Sequence, residues 1–147
     1  MPLTNSQRIK NLKDLIYNTD SSSGGGSRYL ALSSTPPNPD GTNVTEPSGN
    51  GYQRIPMQDN IISSLGQNFN TNNPTYDSQN DKYSFTNIVD VYFYEATGSW
   101  GALGYFAIYT SRTGNTCIAY GSLANSISPV INSVPVIRAG DLTIEEQ

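Results

Sequence analysis

Apolar positions along this chain fall into one short helical stretch near the start and a series of strand-length runs that crowd toward the end. Ile9, Leu12, Leu15 and Ile16 recur at three- and four-residue spacing, with Lys10, Lys13 and Asp14 opposite, which predicts one amphipathic helix ending near Tyr17. Thr4-Asn5-Ser6-Gln7 fits a capping box at its start, the Thr4 hydroxyl accepting from the Gln7 amide. Tyr29-Leu30-Ala31-Leu32 is a compact apolar run of strand length, and Tyr52 to Ile55 and Ile61-Ile62 are weaker strand candidates. From Ile88 to Tyr94, Val89, Val91 and Phe93 alternate with Asp90, Tyr92 and Tyr94, the period of a half-buried strand. Tyr105 to Thr110 alternates in the same way, with Phe106 and Ile108 on one face and Tyr105, Ala107 and Tyr109 on the other. Arg112-Thr113-Gly114-Asn115 then supplies a turn, with Gly able to take positive φ, before a strand over Thr116 to Tyr120. Val134 to Ile137 and Leu142 to Ile144 flank Ala139-Gly140-Asp141 as two further short strands. The expected fold is mainly β: an antiparallel β-sandwich with one short N-terminal helix and long loops or arms.

Polar stretches divide the chain. Residues 18–27 are Asn, Thr, Asp, Ser and Gly with nothing to bury, so residues 1–27 read as a helix plus a Gly/Ser linker and 28–147 as a single sandwich domain. Pro36, Pro37, Pro39 and Pro47, with Asp40-Gly41 and Gly49-Asn50, exclude regular structure from residues 33–51. A stretch of this size is expected to be a long ordered loop, or an arm laid over a neighbouring subunit. Gln67 to Asp81 is a second polar connection.

Only 14% of the residues are charged, the net charge is −4 and the mean hydropathy is −0.45, so solubility rests on Asn, Ser, Thr and Gly. Eight scattered basic residues do not form the cluster that phosphate neutralisation needs, and no apolar run approaches a membrane span. The opening residues lack the apolar core of a secretory signal. Neither nucleic acid nor membrane is an expected partner. Cys117 stands alone, so no intrachain disulfide forms, and it reads as a small buried hydrophobe on a strand.

Histidine is absent, which removes imidazole-based triads, most zinc sites and His proton shuttles. Asp90 and Glu95 bracket an aromatic strand and are the best carboxylate pair for glycoside cleavage, but solvent-facing charges on a sheet are the favoured reading, since spacing does not show two carboxyls facing each other across a cleft. Gly24-Gly25-Gly26 lacks the Lys-Ser/Thr of a phosphate loop, and Asn43-Val44-Thr45 matches a glycosylation acceptor that occurs often by chance. Asp77, Asn80 and Asp81 lack calcium-loop spacing and read as a polar turn. No catalytic residue, metal or cofactor is expected. Ten tyrosines suit half-buried sheet faces and wet interfaces, and Tyr92, Tyr94, Tyr105 and Tyr109, with Trp100 nearby, are expected as an exposed aromatic set that meets a protein neighbour or a sugar ring. Pro36, Pro37 and Pro39 join them as interface candidates.

Taken in order, Leu3-Thr4-Asn5, Tyr29-Leu30-Ala31-Leu32, Asp40-Gly41-Thr42, Glu46-Pro47-Ser48-Gly49 and Gly51-Tyr52-Gln53-Arg54 resemble the start of a widespread tailed-phage family labelled tail-fibre-like or minor structural protein. The second half continues the resemblance through 96–101, Phe106-Ala107-Ile108-Tyr109, Thr113-Gly114-Asn115, 119–123 and 139–144. The chain departs from the pattern at Ser126 to Ser133, where Pro129 and apolar Ile127, Val130 and Ile131 replace a Lys and a Gly-Asp turn, and at the glycine-rich 21–27. The resemblance implies a β-sandwich component of a phage particle, made in the bacterial host cytoplasm and packed against other virion proteins. Gly98 and Gly101 around Trp100, and Gly140-Asp141 before the last strand, are expected to make the fold. With no heptads and no internal repeat there is no shaft, so the leading expectation is a capsid decoration or cement protein, a trimer at local threefold positions. The alternative is a tail-fibre or tail-tip module that binds host-surface glycan through its tyrosines.

Overall fold

A computed structural model describes residues 3–17, 28–56, 75–87 and 90–145. Helix α1 spans Asn5–Tyr17, and the Gln7 N–H donates to Thr4 Oγ1 at 3.2 Å, one half of the capping box, while the Gln7 side chain donates to Asn11 Oδ1 at 2.7 Å. The helix lies on the body of the protein. Leu12 is buried in the core, Ile9 packs beside it, and Arg8 Nη2 donates to the Asp81 carbonyl at 2.8 Å.

Among the described residues nine strands follow: β1 Tyr29–Ser33, β2 Ile55–Pro56, β3 Thr75–Asp77, β4 Lys82–Thr86, β5 Val91–Tyr92, β6 Leu103–Tyr109, β7 Cys117–Ile127, β8 Val136–Ile137 and β9 Thr143–Glu145. They form a four-stranded sheet β2-β1-β6-β7, a three-stranded sheet β3-β4-β9 and a two-stranded ribbon β5-β8, with every pairing antiparallel. The fold is therefore mainly β and sandwich-like, with one short helix. A bridge between Leu123 and Leu142 and the Ala124 N–H on the Asp141 carbonyl (2.9 Å) tie β7 to the second sheet.

One core lies under all three sheets. Leu30, Leu32, Phe106 and Ile108 of the large sheet meet Tyr83, Val91, Phe93, Ile137, Leu142 and Ile144 from the others. The opposite face of β1 and β6 is covered as well: Ala31, Ala107 and Tyr109 form a second cluster with Val44, Cys117 and Tyr120 packed on it. Buried on both faces, β1 reads as a continuous apolar run rather than an alternation.

Several expectations shift. β4 lies where a connection ending at Asp81 gives way to a strand starting only at Ile88. β7 runs seven residues beyond Tyr120. Of Ile88 to Tyr94, only Val91–Tyr92 is paired strand among the described residues. Gly114 does not take positive φ, and its role is steric, since a Cβ there would collide with Ser111 Oγ. Ile61-Ile62 and the linker 18–27 lie outside the described residues.

The Pro-rich segment is an ordered loop folded on its own sheet. The Ser34 N–H donates to the Thr45 carbonyl (3.0 Å), Asn38 to that of Thr42 (2.8 Å), and Asn43 Nδ2 to that of Pro36 (2.8 Å). Ser33 Oγ, fully buried, accepts from the Thr45 N–H at 2.9 Å. A buried network closes it. Arg54 Nε and Nη2 take both oxygens of Glu46 at 3.0 and 2.9 Å, while Nη1 donates to the carbonyls of Ser111 (3.0 Å) and Gly114 (2.8 Å). The Arg54 guanidinium also stacks 3.6 Å from the centre of the Tyr109 ring. The Tyr52 hydroxyl donates to Glu46 Oε1 at 2.6 Å and accepts from the Leu32 N–H at 3.1 Å. Burial, then the Glu46 carboxylate, push the Tyr52 phenol far above its usual range.

Candidate assembly surface

The ribbon is built so that one side is core and the other is open. Val91 pairs with Ile137 and Tyr92 with Val136, and the track continues past the paired strands as the Phe93 N–H donates to the Pro135 carbonyl (2.9 Å) and Ala96 to that of Ser133 (2.8 Å). Period two puts Val91, Phe93 and Ile137 inside, all at 0–1% exposure, and turns Tyr92 (39% exposed) and Val134 (50%) outward. Beyond Val134 the chain reverses in a tight turn. Ser133 Oγ donates to the Val130 carbonyl (2.6 Å) and accepts from the Val130 N–H (3.2 Å), and Asn132 takes φ 66°. The Asn132 N–H donates to the Ala96 carbonyl and the Trp100 N–H to that of Pro129, so the turn is clamped to the body. At its tip Val130 and Ile131 are 58% and 60% exposed. Val130, Ile131, Val134 and Tyr92 are thus exposed large side chains of this turn and ribbon.

The predicted tyrosine set does not form one platform. Tyr92 lies on the ribbon, Tyr94 is half-buried against the main core, Tyr105 is half-buried on β6, and Tyr109 is only 5% exposed. Tyr109 is not a surface residue because Val44 and Arg54 bring the Pro-rich loop over that face of the sheet. Pro36 and Pro39 are exposed, whereas Pro37 is buried.

Trp100 is 6% exposed, with Nε1 donating to the Asn50 carbonyl at 2.8 Å and its ring edge-on to Tyr52 (5.3 Å between centres) and Phe93 (6.4 Å). A Cβ at Gly98 would stand 2.6 Å from Asn50 Oδ1, and Gly101 and Gly140 take φ 79° and 91°. Asp141 Oδ1 accepts from Asn125 Nδ2 at 3.1 Å. Asn87, 2% exposed and absent from the sequence expectations, receives the N–H groups of Gly140 and Leu142 on Oδ1 and so sets that turn.

Of the carboxylates considered for chemistry, Asp90, Asp77 and Asp81 hold local structure. Asp90 accepts from the Ala139 N–H at 2.9 Å and sits 3.6 Å from Arg138, while Glu95 is exposed. Asp77 accepts from Gln79 and Asn80 within its turn, and Asp81 pairs with Arg8. Among the described residues no group of three potential metal ligands comes together, and no helix is long and apolar enough to cross a membrane. Partial burial raises the Cys117 thiol above its usual range, in keeping with a packed residue on a strand.

The described residues thus form a small β-rich body whose 33–51 loop is folded on its own sheet and whose Val130, Ile131 and Val134 side chains are exposed. The chain matches the family model described as Podophage GP4 fiber I protein gp80 over residues 5–145, and it belongs to that family of phage fibre proteins. No curated protein matches it. The chain is thus a phage structural protein of a fibre family, a role that implies interaction with other virion proteins.

Proposed function

We propose that this chain is a non-catalytic building unit of a phage fibre, joined to further copies of itself through the outer side of β5-β8 and the 130–133 turn. The observation that carries the reading is the exposure of Val130, Ile131 and Val134 on a turn that is itself rigidly held. An uncharged patch lets copies that each carry a net charge of −4 meet without placing like charges face to face, and interfaces between identical chains are the more apolar kind. The fibre family favours the tail-fibre expectation and gives capsid decoration no specific support. A trimer remains the expected assembly, on grounds of virion symmetry.

Sedimentation of the full chain tests this. The wild type is expected to sediment as an oligomer at tens of micromolar, and Ile131→Asp with Val134→Asp as a monomer with an unchanged thermal melt. A monomeric wild type refutes self-association. Normal incorporation of the double variant into particles refutes this face as the contact.

A further inference from the structure

A groove of about 490 Å³ lies between the Glu46-Pro47 stretch, Tyr52-Gln53-Arg54 and Arg112-Thr113. Its two guanidinium groups differ in what they have left to offer. Arg54 is committed on all three nitrogens, and Glu46 balances its charge. Arg112 is held on one side only: Nη1 donates to Gln53 Oε1 at 3.1 Å and to the Arg54 carbonyl at 3.4 Å, and its Cζ lies 5.3 Å from the centre of the Tyr29 ring. Its Nε and Nη2 donate to no group among the described residues. Those two nitrogens form the planar edge that takes both oxygens of a carboxylate in parallel.

The remaining lining suits a neutral, hydroxyl-bearing body. Thr113 contributes a hydroxyl, and Gln53, its Oε1 occupied by Arg112, keeps its amide NH₂ as a donor. The volume lies in the range of small-ligand clefts and is ample for one sugar ring. Counting Arg54, Arg112 and Glu46, the groove carries one net positive charge, which favours an anionic ligand.

We infer that this groove binds a carboxylate-bearing monosaccharide unit, a hexuronate, with its carboxylate on the Nε–Nη2 edge of Arg112 and its hydroxyls on Gln53 and Thr113. The inference stands apart from the assembly surface, so either one fails without the other.

The test is an amide-shift titration of the full chain with glucuronate, and with glucose, acetate and inorganic phosphate in parallel. Glucuronate is expected to shift the amides of Gln53, Thr113 and Gly114 and to bind at least tenfold more tightly than the other three. Arg112→Gln should abolish the effect and Arg112→Lys, which keeps the charge but loses the fork, should weaken it about tenfold. Both variants should melt and sediment like wild type. Glucuronate binding no tighter than acetate or phosphate reduces the site to an oxyanion contact and overturns the saccharide assignment. Absence of binding, or binding unaltered by Arg112→Gln, overturns it altogether.

Discussion

Replacing Arg54 with Met isolates the lock that holds the Pro-rich loop on the sheet. The substitution keeps much of the side chain's length but strands the Glu46 carboxylate, frees the carbonyls of Ser111 and Gly114 and uncovers Tyr109. Removing one partner of a buried ion pair costs about 3–5 kcal/mol. Glu46 keeps 24% of its side chain exposed and is partly rehydrated, which places the cost near the lower end, about 3 kcal/mol. That is a large share of the roughly 5–15 kcal/mol that holds a domain together. Trp100 is the sole tryptophan and is buried, so its fluorescence in a urea titration reports unfolding directly. With a urea slope of about 1.5–2 kcal/mol per molar, the midpoint should fall by about 1.5–2 M. A cycle with Glu46→Gln should show a coupling of at least about 1.5 kcal/mol, because the two side chains act as one unit. A midpoint shift below about 0.5 M, or independent effects of the two substitutions, would refute the reasoning.

Two further outcomes are expected. Gly121→Ala places a Cβ 2.8 Å from Cε1 and 2.9 Å from Cζ of fully buried Phe106, so calorimetry should show a Tm lower by about 4–10 °C, restored in part by Phe106→Leu; an unchanged Tm contradicts the close packing. The Asp40, Asp77 and Asp81 carboxyls are held below their usual range, chiefly by the Thr42 hydroxyl, the Asn80 amide and the Tyr76 hydroxyl respectively. A depressed folded value means the contribution is present above the ordinary aspartate range and lost as pH falls through the depressed one, so Tm should hold from pH 7 to about 4 and drop below it. A Tm flat to about pH 2, or Asp81→Asn leaving the acid limb unaltered, goes against these turns.

Much of the fold was legible because local pattern and burial agree. The alternation in Phe106-Ala107-Ile108 and the apolar run Leu30-Ala31-Leu32 survive intact as the central strands. β4 was harder to see, since Lys82, Ser84 and Thr86 are polar and follow directly on the turn-formers of 77–81. The extension of β7 is likewise hidden in Ser122, Asn125 and Ser126, exposed residues of a strand whose far side is only bridged. Period two told which residues share a face with Tyr109, and could not tell that a loop would cover that face. The covering loop was visible as irregular, but its lock depends on Glu46 and Arg54 meeting across the Pro47–Gln53 turn and on carbonyls nearly sixty residues away, which no local pattern encodes. Of the apolar residues of 126–133, Val130 and Ile131 are the exposed ones, whereas Pro129 is buried and Ile127 packs against the core.

Because the inner residues of the ribbon belong to the common core, whatever grips its outer side is close to Phe93 and Ile137, both essentially sealed from water. Tension applied by a neighbour at Tyr92 or Val134 therefore reaches the shared interior at once, and detaching the ribbon means flooding that interior. A fibre subunit held by this handle would yield as a whole rather than peel.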